Sequence, residues 1–316
     1  MNAKTVVRAF APGSVGNIGP GLDIMGLALT GPGDIVEARV GTAPGVTVAD
    51  AGHPDLPVDP TLNTAALAAA AVAKLAGKPE ASIEIRISKG LPLSGGQGGS
   101  AASAVAGAVA ANALLGAGLS HLGLLEAALA AEMVVAGTHL DNILPSLLGG
   151  IVLVRDEASR DFIRLRVPDQ LRVVLAHPAQ QLKTKEARSV LPASLSRADA
   201  LYQAAQVAAM TAAFVSGELG LLRRAVDDRI AEPARAVLLP GFKEAKAAAL
   251  GAGALGCSIS GSGPTSFAFA DSDSQAARVA QAMADAYRKA GVACSTRVER
   301  ISVEGARVLH GTEAGR

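Results

Sequence analysis

The sequence has few aromatic residues, few cysteines and almost no net charge. Aromatic residues make up 3% of the 316 positions and tryptophan is absent, so the core must be packed from Ala, Val, Leu and Ile. The net charge is +1 without a basic run, which with so few aromatic rings argues against nucleic-acid binding. Cys257 and Cys294 form neither a disulfide framework nor a zinc pattern. We therefore expect reduced, buried thiols, as in a cytoplasmic protein.

No stretch has the character of a membrane anchor. Residues 1–10 hold a short apolar patch that Arg8 interrupts, without the apolar core of a signal peptide. Residues 90–120 contain no charged residue, but they are rich in Gly and Ala, and Ala is barely apolar enough for membrane insertion. This stretch predicts a helix buried inside the protein. We expect a soluble protein with no membrane partner.

A cluster of glycines is the most informative feature of the chain. Gly95, Gly96, Gly98 and Gly99 fall within five positions, between a predicted strand and an Ala-rich predicted helix. Glycine loses much conformational freedom on folding, so such a cluster indicates that side chains would obstruct something. A strand, a glycine loop and a helix N-terminus form a typical anion site, although no Walker-type Lys follows the last glycine. The alternative is a flexible loop that binds no ligand.

The remaining pattern predicts an α+β fold. Predicted strands and helices alternate without regular βαβ repetition, which argues against a doubly wound sheet. Residues 137–150 and 258–264 are predicted as special turns, and the charged stretch 156–170 as a domain crossing. The predicted strands are 5–11, 34–40, 45–49, 82–88, 151–155, 171–176, 265–270, 292–300 and 302–309, and the predicted helices are 61–76 with Thr61 as cap, 100–115, 120–135, most of 183–230, 242–250 and 274–290.

Three motifs together carry a family resemblance. They are Pro12-Gly-Ser-Val-Gly-Asn-Ile-Gly-Pro-Gly-Leu-Asp23, Pro92-Leu-Ser-Gly-Gly-Gln-Gly-Gly-Ser-Ala-Ala-Ser103 and Ser258-Ile-Ser-Gly-Ser-Gly-Pro264. In this order they resemble the GHMP kinase superfamily and, within it, the homoserine kinases. The resemblance implies a two-domain fold: an ATP-binding domain over 1–160, similar to the second domain of ribosomal protein S5, and a ferredoxin-like substrate domain over 161–316. It also implies ATP, Mg²⁺ and L-homoserine as ligands.

The resemblance assigns a nucleotide site. Ser100 matches a Mg²⁺-facing serine, with helix capping as its structural alternative, and Glu132 matches the acidic residue of the Mg²⁺ site. The family's loop is usually closer to Gly-Ser-Gly-Leu-Gly-Ser-Ser, so Gly95 and Gly99 stand where hydroxyls are expected and phosphates must rely more on backbone N–H groups. The predicted nucleotide contacts are Asn63, Pro92, Leu93, Ser94, Gly95, Gly96, Gln97, Gly98, Gly99, Ser100 and Ala101.

The resemblance also assigns a substrate site. Asn17 and Asp23 match residues that handle the polar groups of the amino acid, and His139 matches the family's active-site turn. Thr184, Arg188 and Arg235 match positions that clamp the substrate carboxylate, which suits arginine because its planar fork donates two parallel hydrogen bonds. Turn-forming, structural and surface roles are the alternatives for these residues.

The predicted chemistry is phosphoryl transfer without a side-chain base. Such a transfer depends mainly on positioning and charge neutralisation. Asn142 matches the position where mevalonate-type relatives carry an aspartate near the acceptor hydroxyl. An amide cannot take a proton, so we expect Asn142 to orient the hydroxyl and the proton to leave late. Asp141 is a second candidate for a base.

Three other functions stay open at this point. One is another small-molecule kinase of the superfamily, although a mevalonate-type enzyme would typically carry a lysine near Ser14. The second is a non-catalytic sensor of ATP or an amino acid, and the third is a structural partner protein, which leaves the glycine motifs unexplained. Family members are often dimers, so a homodimer is compatible with the resemblance.

Overall fold

The computed structural model describes residues 5–135 and 137–310. None of the helices in these two ranges is both long and apolar enough to cross a bilayer. Residues 1–4, on which part of the N-terminal expectation rests, lie outside the described residues.

The chain forms two β-sheets with helices packed on them. In chain order the strands are β1 (Val6–Gly16), β2 (Met25–Val40), β3 (Val46–Asp50), β4 (Ile83–Ser88), β5 (Ile151–Asp156), β6 (Asp161–Leu165), β7 (Arg172–Pro178), β8 (Gly256–Ile259), β9 (Ser266–Ala270), β10 (Cys294–Glu299) and β11 (Arg307–Val308). The helices are α1 (Thr64–Leu75), α2 (Gly99–Leu115), α3 (His121–Val135), α4 (Leu140–Leu148), α5 (Thr184–Ser189), α6 (Arg197–Ser216), α7 (Leu222–Ala225), α8 (Ala231–Ala236), α9 (Phe242–Gly251) and α10 (Asp273–Lys289).

The first sheet carries the Ala-rich helices. Its strand order is β11-β1-β2-β4-β3, and β5 and β6 continue it from the first part of β2. Helices α2 and α4 pack on the sheet, and α1 and α3 pack against α2. A Cβ atom on Gly107 of α2 would lie 2.4 Å from the carbonyl oxygen of Ala65 on α1. Small residues let these backbones approach closely, so a dense core forms without large aromatic side chains.

The second sheet has the order β10-β7-β9-β8, with all neighbours antiparallel. This is the ferredoxin-like arrangement, with α9 and α10 packed against its strands. The faces of the two sheets share one apolar core that contains Phe214, Phe267 and Phe269. The predicted α+β class and the ferredoxin-like second part are confirmed, and the shared core holds the two sheets against each other.

Two predicted elements differ from the structure because local turn signals are overridden. The first strand does not end at Pro12: β1 continues to Gly16 with a register shift between Pro12 and Ser14. Residues 137–150 are not only a turn, because α4 forms there with Pro145 inside it. Pro145 has no N–H to donate to the carbonyl of Asp141. That carbonyl packs against Gly26, and a Cβ atom on Gly26 would lie only 1.7 Å from the carbonyl oxygen.

Other differences concern element ends. Asn63, not Thr61, caps α1, since Thr61 instead donates its hydroxyl to Asp59. The predicted strand at 302–309 is reduced to the two residues of β11, and the strand predicted at 34–40 is the second half of the 16-residue β2. Strands β6 and β11 pair in the first sheet although they follow residue 160. The division at residue 160 stays a prediction.

Candidate active site

The three glycine-rich motifs meet at the junction of the two sheets. The N–H of Ser14 donates to the carbonyl of Gln97 at 3.1 Å, and the N–H of Gly261 donates to the carbonyl of Gly16 at 3.0 Å. The Ser260 hydroxyl donates to the carbonyl of Gly96 at 2.6 Å. The glycine loop therefore lies between the other two motifs, bonded to both.

Glycine is required in the loop by both backbone conformation and space. Gly96 and Gly98 adopt φ of +71° and +67°. A Cβ on Gly96 would lie 2.4 Å from the carbonyl oxygen of Ser260, and one on Gly98 would lie 2.0 Å from Ser14 Oγ. Gly98 is also the N-cap of α2 and has no side chain to satisfy the first N–H groups of that helix. Those donors and the helix dipole make the loop a ready anion site.

A buried ion pair between Lys89 and Asp34 forms hydrogen bonds to both ends of the loop. Asp34 is fully buried, and its carboxylate accepts hydrogen bonds from the N–H groups of Gly90 and Leu91, at 3.1 and 3.3 Å. Lys89 pairs with Asp34 and also donates to the carbonyl of Gly99 at 3.1 Å. Sequence reasoning missed this pair. The sequence feature that could have revealed the pair is Lys89, a charged residue that directly precedes an uncharged loop.

Ser100 and Glu132 come together at the start of α2. The Ser100 hydroxyl donates to Glu132 Oε1, and Glu132 is 1% exposed. Burial raises the pKa of Glu132 above its ordinary value, and the Ser100 hydrogen bond acts in the opposite direction. A cation beside this carboxylate would relieve the cost of burying its charge. Hydroxyl and carboxylate oxygens are hard donors that suit Mg²⁺, which keeps few protein ligands besides water and phosphate oxygens.

The remaining predicted nucleotide contacts lie along the loop, apart from Asn63. The Asn63 side chain accepts hydrogen bonds from the N–H groups of Ala65 and Ala66 and donates one to the carbonyl of Pro57 at 3.0 Å. This makes Asn63 a helix cap, and its contact with a nucleotide stays a prediction. Ser94 is exposed, Gly95, Gln97 and Ala101 are buried, and Pro92, Leu93, Gly96, Gly98 and Gly99 are half-buried.

A charged cluster lies beside the first motif. Arg188 Nη2 donates to Asp23 Oδ1 at 2.8 Å and lies 3.2 Å from His139 Nδ1. Arg188 and Asp23 are each about 40% exposed. Asp23, His139 and Asp141 could offer ligand atoms to a metal, but the Arg188 guanidinium already lies against two of them. The cluster is therefore better suited to a small charged organic molecule.

Arg235 faces the same cluster from α8. It is 3% exposed, and it donates to the carbonyls of Ala187 and Gly261 at 3.1 and 3.0 Å. Burial lowers the pKa of Arg235 from its ordinary value, and the charge of Asp23 acts in the opposite direction. Thr184 is half-buried at the start of α5, the short helix that carries Ala187 and Arg188.

Asn17 anchors the turn of the first motif. Its side chain accepts from the N–H of Asp23 at 2.9 Å and donates to the carbonyl of Gly261 at 2.7 Å, while its backbone N–H donates to Asp141 Oδ2 at 2.9 Å. Asn17 and Asp23 both adopt positive φ, of 70° and 60°. These bonds fix the turn that carries Asp23, which faces Arg188.

Asp141 and Asn142 start α4 behind that turn. Asp141 is 2% exposed, and its Oδ1 atom has no hydrogen-bond partner within residues 5–135 and 137–310. Burial, followed by repulsion from Asp23, raises the pKa of Asp141 to about 7. Asn142 Oδ1 accepts a hydrogen bond from Ser14 at 2.9 Å. The structure thus brings Asn17, Asp23, His139, Arg188 and Arg235 into one cluster beside the glycine loop, with Thr184 at the start of the helix that carries Arg188.

Comparison with known proteins identifies the class. Residues 63–150 match the family model of the GHMP kinases N-terminal domain, and residues 210–289 match that of the GHMP kinases C-terminal domain. Fold and site together therefore define a kinase of the GHMP type.

Individual relatives narrow the class. The homoserine kinase of Chlorobium phaeobacteroides is 41% identical and aligns over 96% of this chain and 99% of its own length. That of Arabidopsis thaliana is 38% identical over 96% of this chain and 85% of its own length. The crystal structure of homoserine kinase from Cytophaga hutchinsonii superposes with a TM-score of 0.93 at 38% identity, covering 98% of this chain and 99% of that one. The chain belongs to the homoserine kinase family.

Proposed function

We propose that the protein transfers the γ-phosphoryl group of ATP to the side-chain hydroxyl of L-homoserine, which yields O-phospho-L-homoserine. One observation carries the proposal: a glycine loop at a helix N-terminus adjoins a cluster of Arg188, Arg235 and Asp23, which forms the proposed substrate pocket. Family membership points to the same reaction. The proposed place of the reaction is the biosynthesis of threonine.

The nucleotide half binds through backbone groups. Amides of the glycine loop and the N-terminus of α2 hold the phosphates, and the Lys89–Asp34 ion pair fixes the loop through the carbonyl of Gly99. Ser100 and Glu132 would hold Mg²⁺, which supplies charge neutralisation at the phosphates when it is bound. The protein's part is to fix these donors before the reaction, because phosphoryl transfer depends on positioning.

The substrate half binds a free amino acid through paired charges. Arg188 and Asp23 bind each other in the structure, and both are exposed enough to exchange partners. A zwitterionic amino acid bound between them pairs its carboxylate with Arg188 and Arg235 and its ammonium group with Asp23. Asp141, whose pKa is raised by burial and by Asp23, regains a favourable environment for its charge when an ammonium group lies nearby. His139 and Thr184 border the carboxylate end of this pocket.

Asn142 orients the acceptor hydroxyl. Its Oδ1 atom is held by Ser14 of the first motif, which itself bonds the glycine loop. The amide therefore stands between the two halves of the site. Because it cannot accept a proton, the hydroxyl proton leaves late, to phosphate or to solvent.

Release of ADP from Mg²⁺-ATP by the purified protein tests the proposal. The acceptors are L-homoserine, L-threonine, L-serine and mevalonate, each at the same concentration. We expect turnover with L-homoserine and little with the other three. Turnover with mevalonate alone would support the mevalonate-type alternative, and nucleotide binding without any turnover would support a sensor.

A homodimer and a cytoplasmic location also belong to the proposal. They stay predictions from the family resemblance and from residue composition. Sedimentation equilibrium across a range of protein concentrations would test the dimer, and a stable mass near that of one chain would exclude it.

A further inference from the structure

Gln97 is a polar side chain buried at the tip of the glycine loop. It is 1% exposed and forms two hydrogen bonds to the second sheet. Gln97 Nε2 donates to Thr265 Oγ1 at 3.0 Å, and Gln97 Oε1 accepts from Arg297 Nη2 at 2.5 Å. Thr265 Oγ1 in turn lies 2.8 Å from His177 Nδ1.

The donor and acceptor inventory fixes the direction of the two bonds that Gln97 forms. A guanidinium only donates, so it must face the Gln97 oxygen, which leaves the Gln97 amide NH₂ to face Thr265. The Thr265 oxygen accepts that bond, and its single hydrogen is then free to donate to His177 Nδ1. A neutral His177 with its proton on Nε2 accepts that bond, whereas a ring with a proton on Nδ1 donates to the second lone pair of the Thr265 oxygen. Burial, followed by the charge of Arg297, lowers the pKa of His177 from its ordinary value, which favours the neutral imidazole.

The chain of bonds is anchored on several strands. His177 lies on β7, Thr265 directly precedes β9, and Arg297 lies on β10. Arg297 Nε lies 2.9 Å from Glu299 Oε1 as an ion pair, and Glu299 Oε2 accepts from Thr30 on β2. One loop side chain is thus connected to three neighbouring strands of the second sheet.

The loop has a specific need for such an anchor. Gly96 and Gly98 flank Gln97, and both residues have the greatest backbone freedom of any type when unfolded. Positions 95 and 99 carry no hydroxyl, so phosphate contacts depend on the direction in which backbone N–H groups point. Those directions stay constant only if the loop is held at a fixed point.

We propose that Gln97, held by Thr265 and Arg297, is a positioning residue that fixes the glycine loop in its phosphate-binding conformation. The proposal rests on the proposed function for its ligand, because it assumes that the loop holds the phosphates of ATP. It assigns Gln97 no contact with the reacting atoms.

The test is direct binding of Mg²⁺ complexes of a non-hydrolysable ATP analogue to the Gln97→Leu variant, with AMP as the reference ligand. Leucine has a similar size and removes both hydrogen bonds. We expect the Kd of the ATP analogue to rise about tenfold, because two bonds are lost and each contributes modestly. The Kd of AMP, which lacks the β- and γ-phosphates, and the KM for L-homoserine should each change less than twofold.

Two further variants keep the result interpretable. Thr265→Val, which removes one of the two bonds, should raise the Kd of the ATP analogue by less than Gln97→Leu does, and the double variant should bind the analogue no more weakly than Gln97→Leu alone. Gln97→Glu should recover most of the affinity: its carboxylate can accept from both Arg297 and Thr265, and His177 can then donate to Thr265.

A matched control is Gln275→Leu. Gln275 is also a buried glutamine, and it accepts from the N–H of Asp271 and donates to the carbonyl of Gly253, away from the loop. The Gln275→Leu variant should have a lower melting temperature and an unchanged affinity for the nucleotide. If Gln97→Leu behaves like Gln275→Leu, or weakens AMP as much as the ATP analogue, Gln97 has only a structural role and the proposal is overturned.

The proposed function and the positioning role of Gln97 are contradicted by different outcomes. It fails if the wild-type protein binds the ATP analogue but phosphorylates no homoserine, and in that case the loss of affinity in Gln97→Leu would still support the positioning role. Should Gln97→Leu not fold, Thr265→Val and Gln97→Glu decide the same question.

Discussion

The two halves of the site recognise their ligands by opposite means. The glycine loop, residues 90–99, contains no charged residue, and its donors are backbone N–H groups. The proposed pocket beside it consists of charged side chains: Arg188 pairs with Asp23, and the charges of both act on Arg235. Phosphates bring their own strong charge to a helix N-terminus, whereas a zwitterion needs separate partners for its two ends.

This contrast predicts which substitutions harm each half. A backbone site is damaged by adding atoms, because a new Cβ displaces the loop. A side-chain site is damaged by removing atoms, because an ion then loses its partner. The substitutions below separate the two halves by this rule.

Arg235→Ala should have the largest effect and should break only the substrate half. Loss of one partner of a buried charge pair costs about 2–5 kcal/mol. That corresponds to about a 30- to 5000-fold fall in kcat/KM for L-homoserine, mainly through KM, with the KM for ATP within about twofold. Steady-state kinetics with each substrate varied in turn measures both values.

Arg172→Ala is the matched control for Arg235→Ala. Arg172 is 8% exposed and pairs with Asp273, so its loss removes a buried arginine from the second sheet away from the pocket. It should lower stability and leave the KM for homoserine unchanged. Equal losses for homoserine and ATP in Arg235→Ala would contradict its place in the substrate half.

Asp141→Asn should show the cost of keeping charge in the substrate half. Because the pKa of Asp141 is raised from 3.8 to about 7, its carboxyl favours the fold when protonated, and this contribution is lost as the pH rises through about 7. Asparagine carries no such penalty. The free energy of unfolding of the variant, relative to wild type, should therefore be higher at pH 8 than at pH 5 by about 3 kcal/mol.

Chemical denaturation at the two pH values measures that difference. Asp273→Asn is the control of opposite sign, since a hydrogen bond from Arg172 lowers the pKa of Asp273 and its contribution is already complete at pH 5. The change in the free energy of unfolding caused by Asp273→Asn should be the same at pH 5 and pH 8. A pH-independent effect of Asp141→Asn would mean that Asp141 is ionised in the fold throughout this range.

Gly96→Ala should break the nucleotide half and leave the substrate half intact. The new Cβ would lie 2.4 Å from a backbone oxygen, and a φ of +71° is strained for alanine by about 1–2 kcal/mol. We expect ATP to bind about tenfold more weakly, as measured by calorimetry, and the KM for homoserine to change little.

Gly116→Ala separates strain from displacement of the loop. Gly116 has a φ of +58° at the end of α2, and a Cβ there would meet nothing within 4 Å. It should destabilise the protein without changing ATP affinity. If Gly96→Ala binds ATP normally, the close packing of the loop on Ser260 is not needed for nucleotide binding.

The same contrast explains how far the sequence predicts the site. Glycine motifs are local, so the loop, α2 and the meeting of Ser100 with Glu132 follow from short patterns and the family resemblance. The partners of Gln97 lie 168 and 200 residues further along the chain, at Thr265 and Arg297. No local pattern links such positions, because only the packing of the two sheets brings them together.

The fold shows a similar limit. Helices with clear start signals, such as α9 after Pro240-Gly241 and α10 after Ser272, were predictable to within a residue or two, whereas α4 was not. Pro145 and Gly149 are turn signals when taken alone, but burial of Ile143, Leu144 and Leu147 favours a helix in this place. Tertiary packing decides such cases over local preference.

Asn142→Ala should have an effect no larger than that of Gly96→Ala, and it tests the boundary between the two halves of the site. Asn142 bonds Ser14, whose N–H bonds the glycine loop, so it belongs to neither half alone. Loss of one orienting hydrogen bond should lower kcat about tenfold and leave both KM values within about twofold. Ser146→Ala, which removes a buried bond to the Pro12 carbonyl from the same helix, should leave kcat unchanged. A folded Asn142→Ala protein with no measurable turnover would show that this side chain takes part in the chemical step rather than only in orienting the hydroxyl.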